Sequence, residues 1–282
     1  MTDTLQRFIF DNTDVRGELV VLDTSYQTAF QHIDYPEPLR YLLGEALSAA
    51  ALMTATLKFT GNLSVQLQGD GILKLLLVHT NHLRQIRGLI KWNGDPGEKD
   101  FSQLIGAGQC MISIEPEDGN RYQGIVPLDG NSLAECLEHY FVQSEQLPTR
   151  MWLVADDHKA AGLLLQQLPH QHGNAEERQR DWEHLTVLAH SVQKEELLDL
   201  PKTELLYRLF HDEKTRLFET QEVEYLCTCS RDRSEKILVG LGKSEIQELM
   251  EINNQTSMNC EFCNAEYTFS RADLKQLLEI AE

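Results

Sequence analysis

Two close cysteine pairs constrain this chain more than any other feature: Cys227-Thr228-Cys229 and Cys260-Glu261-Phe262-Cys263, with 30 residues between Cys229 and Cys260. Where thiols are kept reduced, such pairs are read as metal ligands before they are read as disulfides. Each pair forms its own turn, and two turns can converge on one ion, supplying four thiolates in the tetrahedral arrangement that zinc accepts. Cys-x-x-Cys knuckles are common in such sites. Cys-x-Cys is rarer, because ligands so close in sequence bend the backbone tightly around the metal. One Zn2+ per chain is therefore expected, bound by Cys227, Cys229, Cys260 and Cys263.

The stretch that carries these ligands, residues 225–282, has only 58 residues. Its large apolar groups are few, Ile237, Leu238, Leu241, Ile246, Phe269 and Leu274 among them. So small a core is marginal alone, and metal binding would supply much of its folding free energy. Two uses of the site stay open on spacing alone. The more ordinary is a permanently closed structural staple. The other is a reversible redox switch: an oxidant attacks a zinc-bound thiolate, and each close pair traps the product as a local disulfide. Arg231, Arg233 and Lys236, next to the first pair, would favour thiolate over thiol.

The remainder reads as α+β: a mixed α/β core domain over residues 1–171, a charged helical linker over 172–224, and the zinc-binding module over 225–282. The clearest helix spans residues 36–58, with Asp34 as a cap, Pro36 and Pro38 at its entry, and Leu39, Leu43, Ala46, Leu47 and Ala50 at helical spacing. Gly61 follows as a stop. Strand-like runs cover 63–68, 73–78 and 85–92, and Gly69-Asp70-Gly71 reads as a hairpin turn. A second β group covers 109–115 and 121–128. Ser132 opens a short helix to Ser144, with Glu135 completing a capping box. Residues 150–155 and 162–168 form another hairpin about Asp156-Asp157-His158-Lys159. Gly88-Leu89-Ile90 with Asn93-Gly94 is echoed at an offset of 36 by Gly124-Ile125-Val126 with Asp129-Gly130, which allows two related β units or chance. In the linker, Trp182, Leu185, Leu188 and Val192, and then Leu205, Leu206, Leu209 and Phe210, recur at helical spacing on either side of Pro201. Periodicity favours two ordinary helices packed on the core domain.

At these motifs the chain resembles a family, the redox-regulated heat-shock holdases known as the thirty-three-kilodalton heat-shock proteins. Beyond the cysteine pairs, the likeness includes Val15-Arg16-Gly17-Glu18-Leu19, Thr54-Ala55-Thr56-Leu57-Lys58-Phe59 and Val65-Gln66-Leu67-Gln68-Gly69-Asp70-Gly71. It continues through Arg121-Tyr122-Gln123-Gly124 and the run from Tyr140 to Arg150. The resemblance implies a cytoplasmic, ATP-independent chaperone, not an enzyme and without catalytic residues, inactive when reduced and zinc-bound. It further implies that oxidation releases zinc, pairs Cys227 with Cys229 and Cys260 with Cys263, and unfolds the zinc module with the adjacent linker. The resulting homodimer would bind unfolding client proteins. Ser234 stands where some relatives carry an additional cysteine.

Charge weighs against other classes. The formal net charge of -19 disfavours a nucleic-acid surface. Residues 225–282 alone carry six Lys or Arg against ten Asp or Glu, which argues against a zinc-ribbon nucleic-acid binder. A thiol-disulfide oxidoreductase using Cys260 and Cys263 is the other rival. It needs a helix N-terminus behind the pair and an accessible attacking thiol. No apolar run is long enough to cross a membrane, and residues 1–10 do not read as a secretory signal. Cys110 and Cys136 read as buried, inert thiols. His170 and His172 read as solvated loop residues, and the Gly69-Asp70-Gly71 turn lacks the sequence of a phosphate loop.

Overall fold

The computed structural model describes residues 3–57, 60–169, 172–252 and 255–280. Its contacts divide the chain into two compact units, Met1–Leu226 and Cys227–Glu282.

The first unit opens with β1 (Thr4–Phe10) and β2 (Val15–Leu22), an antiparallel pair. Helices α1 (Thr24–Ala29) and α2 (Glu37–Thr56) follow. The expected long helix is thus present, but Asp34 does not cap it. Pro36 takes the N-cap position, where its fixed φ suits helix entry, and no side chain caps the first turn. The helix stops at Thr56, where Leu57 turns extended; Lys58 and Phe59 lie outside the described residues. A meander of β3 (Gly61–Gly69), β4 (Leu73–Asn81) and β5 (Gln85–Trp92) comes next, then α3 (Phe101–Ile105), β6 (Gly108–Pro116) and β7 (Tyr122–Pro127). Helix α4 (Leu133–Tyr140) runs into a π-helical turn at Phe141–Glu145, and β8 (Thr149–Ala155) and β9 (Ala160–Gln167) close the expected hairpin. At α4 the box is displaced by one residue: Ser132 Oγ accepts from the Glu135 N–H, but Glu135 Oε2 accepts from the Asn131 N–H.

One sheet has the order β8-β9-β2-β1, and the other β5-β4-β3-β6-β7. Hairpins β4–β5 and β6–β7 flank β3 on its two sides, which is where the 36-residue echo falls. Helix α2 lies between the sheets, touching β2, β8 and β9 on one side and β3, β4 and β5 on the other. A helix packed between two sheets must be slim, which is why Gly44, Ala46, Ser48, Ala49, Ala50 and Ala51 crowd its middle. The turn between β3 and β4 serves the same architecture. Asp70 Oδ1 accepts from the Ala107 N–H at 2.7 Å, tying that turn to the start of β6 rather than leaving it open to a phosphate.

Residues 172–224 form more structure than their sequence suggested. They supply α5 (Ala175–His190), α6 (Lys194–Asp199) and α7 (Lys202–Phe210), then β10 (Thr215–Leu217), β11 (Gln221–Glu222) and β12 (Glu224–Tyr225). Strands β10 and β11 pair with β1, and β12 pairs in parallel with β5, so this short tail extends both sheets. The three helices cover the outer face of the first sheet. Trp182, Leu185, Leu197, Leu206, Leu209 and Phe210 join Phe8, Phe10, Val15, Leu19, Leu163 and Leu165 in one buried cluster. Phe210 packs edge-on to Phe10 with ring centroids 4.9 Å apart. The Phe8 ring in turn lies across Gly17 of β2, where a Cβ would come within 2.1 Å of it, so glycine is required there. Polar contacts fasten the segment at both ends. Arg178 Nε and His172 Nδ1 stand 2.9 and 2.8 Å from the buried Asp14 carboxylate, and Gln6 Nε2 donates to the Phe218 carbonyl at 2.6 Å. His172 is an exposed loop residue, as expected, though its ring also meets Asp14, and His170 lies outside the described residues.

Candidate metal centre

The second unit consists of α8 (Arg231–Leu241), α9 (Lys243–Ile252), the hairpin β13 (Gln255–Asn259) and β14 (Glu266–Ser270), and α10 (Arg271–Ile280). Its buried apolar core is Leu238, Ile246, Phe269, Leu274 and Leu277. Ile237 and Leu241, which the sequence offered as core residues, are at least half exposed. Leu241 shares the stripe of Ser234 and Leu238 but is the last residue of α8, and Ile237 lies beside that stripe.

Cys227 and Cys229 lie in the extended stretch that leads into α8. Their backbone is released into helix immediately afterwards because Ser230 caps it, accepting from the Arg233 N–H at 3.2 Å. Between the two cysteines, Thr228 Oγ1 accepts from Arg233 Nη1 at 2.6 Å, which brings that guanidinium beside the first pair. Arg231 is spent differently. It pairs with Glu235 and Asp273, donates to the Thr268 carbonyl, and lies over the Phe269 ring, stapling α8, β14 and α10 together. Its charge is balanced by two carboxylates, so it contributes less to thiolate formation than its place in the sequence implied.

Cys260 and Cys263 occupy the turn of the β13–β14 hairpin. The Asn264 N–H donates to the Cys260 carbonyl at 2.8 Å, and the Cys260 N–H to the Ala265 carbonyl at 2.9 Å. Asn264 takes a left-handed conformation, φ 55°, which closes the knuckle. The two turns bring the four sulfurs together. Cys227 Sγ is 3.6 Å from Cys260 Sγ, Cys229 Sγ is 3.4 Å from Cys263 Sγ, and all four lie within 4.8 Å of one another. Zinc–sulfur bonds of about 2.3 Å to the corners of a tetrahedron would set the sulfurs roughly 3.8 Å apart, so the set fits that ion in number, chemistry and spacing.

The electrostatics agree. Burial above all, and then the three neighbouring thiols, push the Cys263 thiol up to about 12. A divalent cation reverses that balance, because a coordinating thiol is deprotonated outright. Tyr267 of β14 donates its hydroxyl to Cys229 Sγ at 3.0 Å. That bond pushes its own ionisation up to about 12, so it remains a donor at neutral pH. Sequence reading passed over Tyr267, although its position four residues beyond Cys263 on an alternating strand was a visible signal.

The two other cysteines lie apart from this cluster. Cys110 on β6 and Cys136 on α4 are fully buried, and burial drives the Cys110 thiol up to about 12, as expected of inert core thiols. Ser234, on the buried side of α8, donates its hydroxyl to the Ser230 carbonyl at 3.2 Å and stabilises the helix start.

Comparisons with known proteins agree with this arrangement. The family model described as Hsp33 protein matches residues 3–270. A 33 kDa chaperonin of Nitrosococcus oceani is 46% identical over 275 residues, covering 98% of this chain and 94% of that protein. One from Shewanella oneidensis is 45% identical over 276 residues, 98% and 95% of the respective chains. One from Pectobacterium atrosepticum is 46% identical over 281 residues, 98% and 96%. Among solved structures, the 33 kDa chaperonin (heat shock protein 33 homolog) of Thermotoga maritima superposes with a TM-score of 0.85 over 98% of both chains at 23% identity, which is a likeness of fold.

Proposed function

The chain belongs to the Hsp33 family, and on that premise we propose that it is a redox-regulated, ATP-independent holdase whose switch is a zinc centre made by Cys227, Cys229, Cys260 and Cys263. The observation that carries the reading is the meeting of four thiols in a unit whose buried apolar core, among the described residues, is five side chains. When bound there, zinc ties two turns together and supplies folding free energy that so small a core lacks.

Oxidation removes the ligands two at a time. Cys227 pairs with Cys229 and Cys260 with Cys263, although close sulfur–sulfur contacts also run between the pairs. The reason is chain connectivity. Once the fold loosens, only sequence neighbours keep a high effective concentration for each other. With its ligands gone the second unit unfolds. The connector, residues 172–224, whose last strand ends at Tyr225, loses its anchor at that end. Its release uncovers the outer face of the first sheet, with Phe8, Phe10, Val15, Leu19, Leu163 and Leu165. A contiguous apolar face of that kind is a surface for unfolding client proteins in the cytoplasm, shared between two copies in a homodimer.

The oxidoreductase reading fares less well. It asks for a helix N-terminus behind Cys260 and Cys263, and those residues lie in the turn of a β-hairpin. Light scattering of a chemically denatured client, diluted into reduced zinc-loaded protein or into protein pre-oxidised with peroxide, tests the proposal. Suppression of aggregation by the oxidised sample only, reversed by reductant, is expected; equal failure of both samples would sink it.

A further inference from the structure

The metal-facing side of β14 carries one hydroxyl that the switch, as described, does not use. We propose that Tyr267 is a positioning residue of the redox centre: by donating its hydroxyl to Cys229 Sγ it restrains that sulfur and sets how readily the first cysteine pair is oxidised. The proposal rests on the reading of the four cysteines as a zinc-thiolate switch.

Three features of the site argue for it. The Tyr267 hydroxyl is aimed by packing: its strand is held in register by Met258 opposite, and its ring lies against the core cluster that contains Phe269 and Leu274. Thr228 Oγ1, between the first two cysteines, accepts from Arg233 Nη1 at 2.6 Å, so its placement is set by that guanidinium rather than by a sulfur. Finally, a sulfur bound to a metal still has lone pairs, and an O–H donor on one of them draws off charge and weakens it as a nucleophile. Cys263 offers an internal reference, because its own donor is the backbone N–H of Ala265, which no side-chain substitution removes.

The chemistry affected is the first step of oxidation. The Cys229 thiolate attacks one peroxide oxygen, the O–O bond breaks, and hydroxide leaves and takes a proton to become water. The Cys227 thiolate then displaces the hydroxyl of the sulfenic acid, forming the S–S bond and a second water after protonation. Two electrons pass from two sulfurs to one peroxide. A hydrogen bond to Cys229 Sγ is strongest before that attack, when the sulfur carries most charge, so it raises the barrier.

The test is Tyr267→Phe in the full, zinc-loaded chain, which removes one oxygen and keeps the ring. Limiting N-ethylmaleimide followed by peptide mass mapping reads the modification of Cys229 against Cys263, and a chromogenic chelator reads zinc release under peroxide. We expect the Cys229-to-Cys263 ratio to rise about fivefold, the rate equivalent of one ordinary hydrogen bond, with faster zinc release. A ratio that does not move, or all four cysteines accelerating together as a loosened fold would cause, overturns the proposal. Wild-type protein that binds no zinc overturns the reading of the site and this proposal with it, whereas zinc bound with the ratio unmoved overturns this proposal alone.

Discussion

Cys263 and Glu18 both show burial raising the pKa of a titratable side chain, with different consequences. At Cys263 the half-buried thiol serves the proposed site as one of four ligands, and replacing it leaves three sulfurs that cannot complete the tetrahedron. Cys263→Ser, like Cys227→Ser, is expected to abolish stoichiometric zinc binding by metal analysis of the purified chain and to loosen reductive control. One tightly bound zinc per chain in either variant would contradict the four-ligand assignment. Glu18 sits fully buried on β2, with Arg16 Nε 3.9 Å from one carboxylate oxygen and the other, Oε2, without a hydrogen-bond partner among the described residues. Burial outweighs the attraction of Arg16 and Arg7 and raises its pKa to about 7. The folded state therefore binds a proton that the unfolded state releases near its ordinary value of 4.5, and this contribution to stability falls as pH rises from about 4.5 through about 7. Glu18→Gln should remove that loss, up to roughly 3 kcal/mol. Its melting temperature should gain on the wild type at pH 8 and not at pH 4.5. The meeting of the four cysteines was legible because sulfur pairs carry their chemistry in their spacing. Glu18 stood inside a quoted motif, but its burial depends on a sheet pairing that spacing does not encode.

At the scale of elements, the connector is where sequence and structure part most. Its two apolar stripes correctly marked α5 and α7, and Pro201 sits at the N-cap of α7. Helix α6 was not foreseen, because six residues with Leu197 and Leu198 are too short to show a period. The strands β10 to β12 were also not foreseen, since two- and three-residue strands depend wholly on the partners they pair with. Each helix looked poor in apolar residues on its own, yet all three contribute to one face, and that sum made the connector a cover. Phe210 is its deepest aromatic contact, against Phe8 and Phe10. Phe210→Ala should cost the docked connector about 3–4 kcal/mol. Client aggregation should then be suppressed, at least in part, by the reduced, zinc-loaded variant. A variant as inactive as the reduced wild type would show that this packing does not restrain activity.

For the whole molecule, two cores of unequal strength share one chain. The first unit has α2 enclosed between two sheets and a large buried cluster, whereas the second has, among the described residues, a small buried cluster of five side chains beside its thiols. That inequality lets the small unit give way while the large one stays folded, which a holdase needs if it is to return to its resting state. The fold class was readable from composition and periodicity. The wrapping of residues 172–224 around the first sheet was not, because it joins distant segments, as between Gln6 and Phe218, 212 residues apart. The central claim is that oxidation at the zinc centre frees the connector from that sheet. Hydrogen–deuterium exchange of the full chain, reduced and zinc-loaded against peroxide-oxidised, tests it most directly. The account predicts that residues 175–217 lose protection on oxidation while α2 and β3 to β6 keep theirs. Continued protection of α5 and α7 in the oxidised protein would contradict it.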